Sequence, residues 1–260
     1  NETKIIRGMP AGVDINVDNN GKLISEVSFF VYSADINIKN NSKVIFEYET
    51  AIQNPNFDII NNSTAVSNNT LGIFDGDSWP VIEEDNDFSG GALSLDNNST
   101  LDVKGRVEFK STDVLINHGS TAKIDNLYGD NSKIYVVNDS KLEINQDAYF
   151  VGTHLIVNDS KLEINKNAIF DGGTDLIVKD NSNTTINGEL TVKGYADIEN
   201  GKFVVNNYGS IKIDKSNLNV GGVADFADSA LVVQNGSKVL FGNNFTMKNK
   251  ENGTEKSIII

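Results

Sequence analysis

One stretch of this chain is written twice. Residues 138–157 read N-D-S-K-L-E-I-N-Q-D-A-Y-F-V-G-T-H-L-I-V, and from Asn158 the sequence begins again as N-D-S-K-L-E-I-N-K-N-A-I-F-D-G-G-T-D-L-I-V. The second copy starts 20 residues after the first. A near-verbatim period of this size marks a solenoid, in which each repeat buries its apolar side only against its neighbours. One unit holds three short apolar pairs, Leu142/Ile144, Ala148/Phe150 and Leu155/Val157. Each pair alternates with polar residues at period 2, the spacing of a half-buried strand. Polar turn residues separate the pairs.

With Ser140 as the zero of the unit, apolar residues fall near +2, +4, +8, +10, +15 and +17. The same template fits Gly21, Ser42, Ser63, Ser99, Ser120, Ser160, Ser182 and Gly201, and the coils are expected to begin at about residue 13. Two irregularities stand out. Ser63 to Ser99 spans 36 residues, about 15 too many. Taking Ser216 and Ser237 as the last two zeros leaves only 15 residues after Gly201, so one coil there is expected to be short by a strand.

Three strands of three to five residues and their turns consume about 20 residues, one triangular turn of a parallel β-helix. Strands in successive coils pair at roughly 4.8 Å, so roughly eleven coils make a rod on the order of 50 Å long. Parallel crossovers are overwhelmingly right-handed, and the hexapeptide pattern of left-handed helices is missing, so the right-handed form is expected. The fold class is therefore all-β, a right-handed parallel β-helix forming one domain over residues 1–260, with a loop insertion at about 75–91. Phe109, Phe150, Phe170 and Phe226 all fall at +10 and are expected to form a partial aromatic stack. The Asn-Asp-Ser and Asn-Gly-Ser corners suit a left-handed backbone, and stacked asparagines suit hydrogen-bond ladders.

The unit S-x-L-x-[IV]-x3-A-x-F-x4-5-L-x-V, the Asn-rich corners, the absence of cysteine and only three prolines resemble the passenger β-helix of bacterial autotransporters and related adhesin-like surface repeat proteins. The resemblance covers nearly the whole chain. It implies secretion, display at the cell surface and adhesion, with no catalysis. Gly90-Gly91-Ala92-Leu93 and Phe241-Gly242-Asn243-Asn244 are also similar to the G-G-A-[ILV] and F-x-x-N motifs of chlamydial polymorphic outer-membrane proteins, each occurring once.

Composition narrows the function further. A formal net charge of −14 repels nucleic acid and anionic lipid. No run approaches the roughly 18 apolar residues of a membrane helix, so membrane insertion by this segment is not expected. The chain lacks cysteine, which excludes disulfides and a thiol nucleophile. Its first residue is Asn1 and its last are Ser257-Ile258-Ile259-Ile260, an uncapped apolar strand. We therefore expect a piece of a longer protein.

The extra residues lie within 75–91. Insertions in a solenoid project from one face, often the binding face. This one carries the only tryptophan, Trp79, with Phe88 and six carboxylates: Asp75, Asp77, Glu83, Glu84, Asp85 and Asp87. Trp79, Phe88 and Glu84 make a candidate binding loop. Asp75, Asp77, Glu83, Asp85 and Asp87 are oxygen donors suited to Ca²⁺, although D-G-D-x-W lacks the ligand spacing of an EF-hand loop. A solvated loop whose tryptophan packs back on the coil is the structural alternative.

Enzymes of the pectate-lyase and galacturonase type use this fold with cationic groups over an acidic sugar. Here arginine is limited to Arg7 and Arg106, and G-H-G and R-I-K motifs are missing. His118 stands at a turn and His154 at a strand start, with no Ser/His/Asp grouping. Glu143 and Glu163, beside Lys141 and Lys161, are expected to stack as surface charge ladders. N-x-[ST] triplets at Asn40, Asn62, Asn68, Asn98, Asn138, Asn158, Asn235 and Asn244 read first as turn chemistry and second as glycan acceptors. The leading expectation is a non-enzymatic, extracellular adhesin or stalk segment whose loop meets a host or neighbouring-cell protein or glycan, with self-association open to it. The alternatives are a carbohydrate-active enzyme or phage-type receptor-binding β-helix, and a surface-layer scaffold.

Overall fold

The computed structural model describes residues 2–5, 14–74 and 92–259 apart from short connecting segments, with side chains described mainly between 14 and 187. Every described element is a strand, and every pairing given is parallel. Each turn of the coil runs through three faces. In the coil of residues 141–158, Lys141–Ile144 lies on the first face, Ala148–Val151 on the second and His154–Asn158 on the third. The next coil repeats this as Lys161–Ile164, Ala168–Asp171 and Asp175–Lys179. Equivalent residues pair: Leu142 with Leu162, Phe150 with Phe170, Leu155 with Leu176. The chain is a parallel β-solenoid.

About seven turns lie between Lys22–Ser25 and Asn183–Ile186, fewer than the expected eleven, while strands on the third face continue to a stack of eleven. The strand Glu2–Ile5 pairs with Lys22–Ser25, so the stack begins ahead of residue 13.

The core follows from the period-2 alternation. Lys141–Ile144 alternates half-exposed and buried residues, and the inward positions form one continuous apolar core from Ile15 to Ile186. Phe150 and Phe170 are fully buried with parallel rings 5.2 Å apart. The expected partial stack consists of this pair. Phe109 is separated from Phe150 by Gly129, its partner in the intervening coil. A Cβ on Gly129 would lie 3.0 Å from Phe150 Cδ1, so the ring occupies the place of that side chain. Phe226 lies on another face, opposite Val205.

The corner between the third and first faces explains the asparagines. Two consecutive residues there are left-handed: Asn40 and Asn41 at φ 56° and 61°, Asn61 and Asn62 at 56° and 59°, Asn138 and Asp139 at 53° and 60°. Asn and Asp accept this backbone at less cost than other non-glycine residues. The serine that follows is buried, and its Oγ accepts the N–H of the serine one coil earlier. Ser42 N–H donates to Ser63 at 3.2 Å, Ser63 to Ser99 at 3.3 Å, Ser99 to Ser120 at 3.1 Å and Ser140 to Ser160 at 3.1 Å. A buried N–H at a corner has no place in the strand ladder, and the serine column satisfies it. The asparagines add their own column, Asn61 Nδ2 donating to Asn40 Oδ1 at 2.9 Å.

A second column, unforeseen in the repeat, holds the corner between the second and third faces. Thr112 N–H donates to Ser132 Oγ at 3.2 Å and Thr153 N–H to Thr174 Oγ1 at 3.3 Å. All four side chains are buried.

Two expectations are corrected. Three short strands per coil holds except where Thr100–Lys110 and Thr121–Asp130 cross the first corner without a break. The longer of these carries one extra residue, a bulge between Val103 and Arg106. Gly105 sits in it, and a Cβ there would be 2.7 Å from the Asn69 backbone carbon. The shortened coil after Gly201 does not exist. Asn217–Val220 pairs with Tyr195–Ile198 and Lys238–Phe241, all on the third face. Ala224 and Phe226 belong to the first face, and Leu231 and Val233 to the second. A serine before an apolar pair occurs ahead of strands on more than one face, so Ser216 and Ser237 marked the wrong corner.

Candidate functional site

The segment 75–91 replaces a corner. Elsewhere the second and third faces are joined across two or three residues, as between Lys110 and Asp113, Asp130 and Lys133, and Asp171 and Asp175. Here Leu71–Phe74 and Ala92–Asp96 flank the segment and keep their places in the stack. Leu71–Phe74 pairs with Thr50–Gln53 and with residues 107–110, and Ala92–Asp96 with Asn56–Ile60 and Asp113–Ile116. Asp75, Asp77, Trp79, Glu83, Glu84, Asp85, Asp87 and Phe88 themselves lie outside the described residues. Among the described residues no group of three or more His, Asp or Glu side chains is placed to hold a metal ion.

The outward faces carry ladders. Glu143 stands opposite Glu163 and Lys141 opposite Lys161, as the repeat implies. Lys141 Nζ lies 2.9 Å from Glu143 Oε2 and 2.8 Å from Glu163 Oε2, so one cation bridges two coils. Partial burial pulls the Lys141 pKa down, but the hydrogen bonds to Glu163 and Glu143 outweigh it and leave the pKa raised. His118 is a left-handed corner residue whose Nδ1 lies 2.7 Å from Asp96 Oδ1. It takes the place that asparagine holds in other coils. His154 opens a third-face strand between Lys133 and Asp175. Two further groups are shifted, both on the third face. Burial raises the pKa of Asp58, opposed by Lys39 and helped by Asp35. Burial and then Asp113 raise that of Tyr135.

A concavity lies where the first corner meets the second face. It is a shallow cleft of about 380 Å³ lined by Arg106, Asn126, Leu127, Tyr128, Asp147 and Tyr149. The local sequences dictate its wall. Tyr128 falls between Leu127 and Gly129, and Tyr149 between the buried Ala148 and Phe150, so both tyrosines point outward. They are partners in adjacent coils, and their rings stack 5.6 Å apart at 12°. Arg106, at the bulge, places its guanidinium 5.1 Å from the Tyr128 ring centre and binds Glu108 Oε1 at 2.9 Å through Nε. Tyr149 Oη donates to Asp171 Oδ2 at 3.3 Å. Asp147 Oδ1 accepts the Asn167 N–H at 3.1 Å, and Asn126 Oδ1 accepts the Asp147 N–H at 3.5 Å.

The repeat did not flag this cleft. Its signal was available in the outward middle position of the second-face strands, where Glu108, Tyr128, Tyr149 and Ile169 follow one another coil by coil. Arg106 appeared in the sequence only as one of two arginines.

No protein-family model matches this chain, and neither the curated proteins nor the solved structures contain a match to it.

Proposed function

We propose that this chain is a non-enzymatic, surface-displayed rod of the right-handed autotransporter-passenger type, holding segment 75–91 out toward a protein or glycan on a host or neighbouring cell. The observation that supports this reading is the undisturbed register on both sides of the segment. Seventeen residues stand where two suffice, yet Phe74 and Ala92 remain in their columns. A fold that tolerates such an excursion at one corner is suited to carrying it, and binding residues concentrate on loops held by rigid scaffolds. Trp79 and Phe88 are the aromatic anchors the segment offers, with Glu84 beside them. Asp75, Asp77, Glu83, Asp85 and Asp87 are the oxygens it would offer to calcium. The net charge of −14 favours a partner that is neither nucleic acid nor anionic lipid.

The enzyme reading asks for two or three carboxylates converging across neighbouring coils. The described cleft is lined by one, Asp147. The test is a glycan and matrix-protein binding screen on the intact chain and on a deletion of residues 76–89. Binding confined to the intact chain supports display. Equal binding by both removes the segment from the function, and turnover of a polysaccharide by the intact chain would return it to the enzymes.

A further inference from the structure

We propose that the cleft formed by Arg106, Asn126, Leu127, Tyr128, Asp147 and Tyr149 binds a neutral pyranose unit of a glycan, independently of segment 75–91. Its size, about 380 Å³, falls at the lower end of small-ligand sites, which span roughly 300–1,000 Å³. Its chemistry is amphipathic over a short distance. Leu127 and the tyrosine rings give apolar wall, while a guanidinium, an amide, a carboxylate and two phenol hydroxyls stand around it. A pyranose has the matching pattern, with C–H surface between hydroxyls that each donate and accept. The Tyr128 faces are already used, because this ring lies between Tyr149 and the Arg106 guanidinium. Tyr128 therefore meets a ligand with its edge and hydroxyl. Ring edges carry the positive end of the aromatic quadrupole and suit sugar oxygens.

The charge arrangement selects against an anion. Arg106 is already paired with Glu108 at 2.9 Å, and Asp147 lines the same cleft. An acidic sugar would meet an occupied cation, a carboxylate and a chain of net charge −14. An extended peptide would need an unpaired strand edge to add to. None is offered here, because Thr121–Asp130 is paired with Thr100–Lys110 on one side and with Lys141–Ile144 and Ala148–Val151 on the other. The site is also held in shape before any ligand arrives. Asp147 is fixed by the Asn167 N–H, Tyr149 by Asp171, and Arg106 by Glu108 and the Tyr128 ring. Such fixing lowers the ordering cost of binding.

The experiment is saturation-transfer NMR and calorimetry on the full chain with neutral methyl pyranosides (glucoside, galactoside, mannoside, N-acetylglucosaminide) and their disaccharides. Methyl galacturonide serves as the anionic control. Asp147→Asn keeps an oxygen for the Asn167 N–H, and Tyr149→Phe keeps the ring stack, so thermal melts should match the parent. Each should weaken binding of the preferred neutral sugar, Asp147→Asn by about ten-fold, and the 76–89 deletion should leave it unchanged. The proposal is overturned if no neutral sugar binds, if galacturonide binds more tightly, if both substitutions leave affinity intact, or if the deletion abolishes it. Because the deletion tests the display reading separately, either idea can fail alone.

Discussion

The twin coils at 141–179 and the coil at 64–96 are built on one plan with opposite economies. The twins repeat nearly residue for residue, turn in two or three residues between the second and third faces, and stack Leu on Leu and Phe on Phe. The other coil carries seventeen residues at the same corner. Even so, its strands pair above and below in unbroken register, and Ser63 N–H finds Ser99 Oγ across 36 residues of sequence. A strand in this fold is held by the coils on either side and not by its own turn. Corners can therefore vary freely as long as the inward columns and corner hydroxyls stay in place.

The largest test of that comparison is Phe150→Ala. This ring is fully buried and stacked on Phe170, so truncation should destabilise by about 3–5 kcal/mol in a denaturant titration. A neutral result would remove the twins from the core. Next come Ser160→Ala and Ser99→Ala. Each removes the acceptor of a buried N–H, that of Ser140 and that of Ser63. Each should cost about 1–3 kcal/mol, and similar losses would show that the interrupted coil is held as firmly as the perfect ones. Deleting 76–89 leaves Asp75-Gly90-Gly91, the length of the Gly172-Gly173-Thr174 connection. Shortening the loop should stabilise by about 1.5 kcal/mol through reduced closure entropy, with the strand signal in circular dichroism unchanged. Loss of the fold would refute the scaffold argument.

The smallest effect is expected at Asp58, whose partner on the third face is Ser94 of the interrupted coil. Burial raises its folded pKa above the ordinary 3.8. The folded state then holds a proton more tightly than the unfolded chain, so stability falls as pH rises from about 3.8 through the raised value. Asp58→Asn should give a small rise in melting temperature at pH 7 that vanishes toward pH 3. A rise persisting at low pH would assign the effect to packing instead.

The solenoid was legible because the inward positions and the serine of the third corner recur almost verbatim from Ser42 to Ser182. Elsewhere two corners share one signal. Ser216 and Ser237 precede apolar pairs as the true corner serines do, and only the pairing of Leu218 with Ala196 and Val239 shows which face they serve. The Thr112, Ser132, Thr153 and Thr174 column escaped notice because it mixes Thr with Ser at positions that look like ordinary strand ends. The cleft was hidden for a different reason. A lone tyrosine between two inward residues resembles any strand surface, and only the coil-by-coil register brings Tyr128, Tyr149 and the bulged Arg106 together.

The corner hydroxyls also give the stack a direction. Ser42 donates to Ser63, Ser63 to Ser99 and Ser140 to Ser160, always toward the later coil. A chain that emerges amino end first thus carries a leading rung whose buried amide is left open until the following rung arrives. At Ser120 the relay pauses, because its amide turns back to Asn117 within its own corner. There the neighbouring amide takes over, Gly119 N–H donating to the Asn138 carbonyl at 3.0 Å, so this rung too waits on its successor.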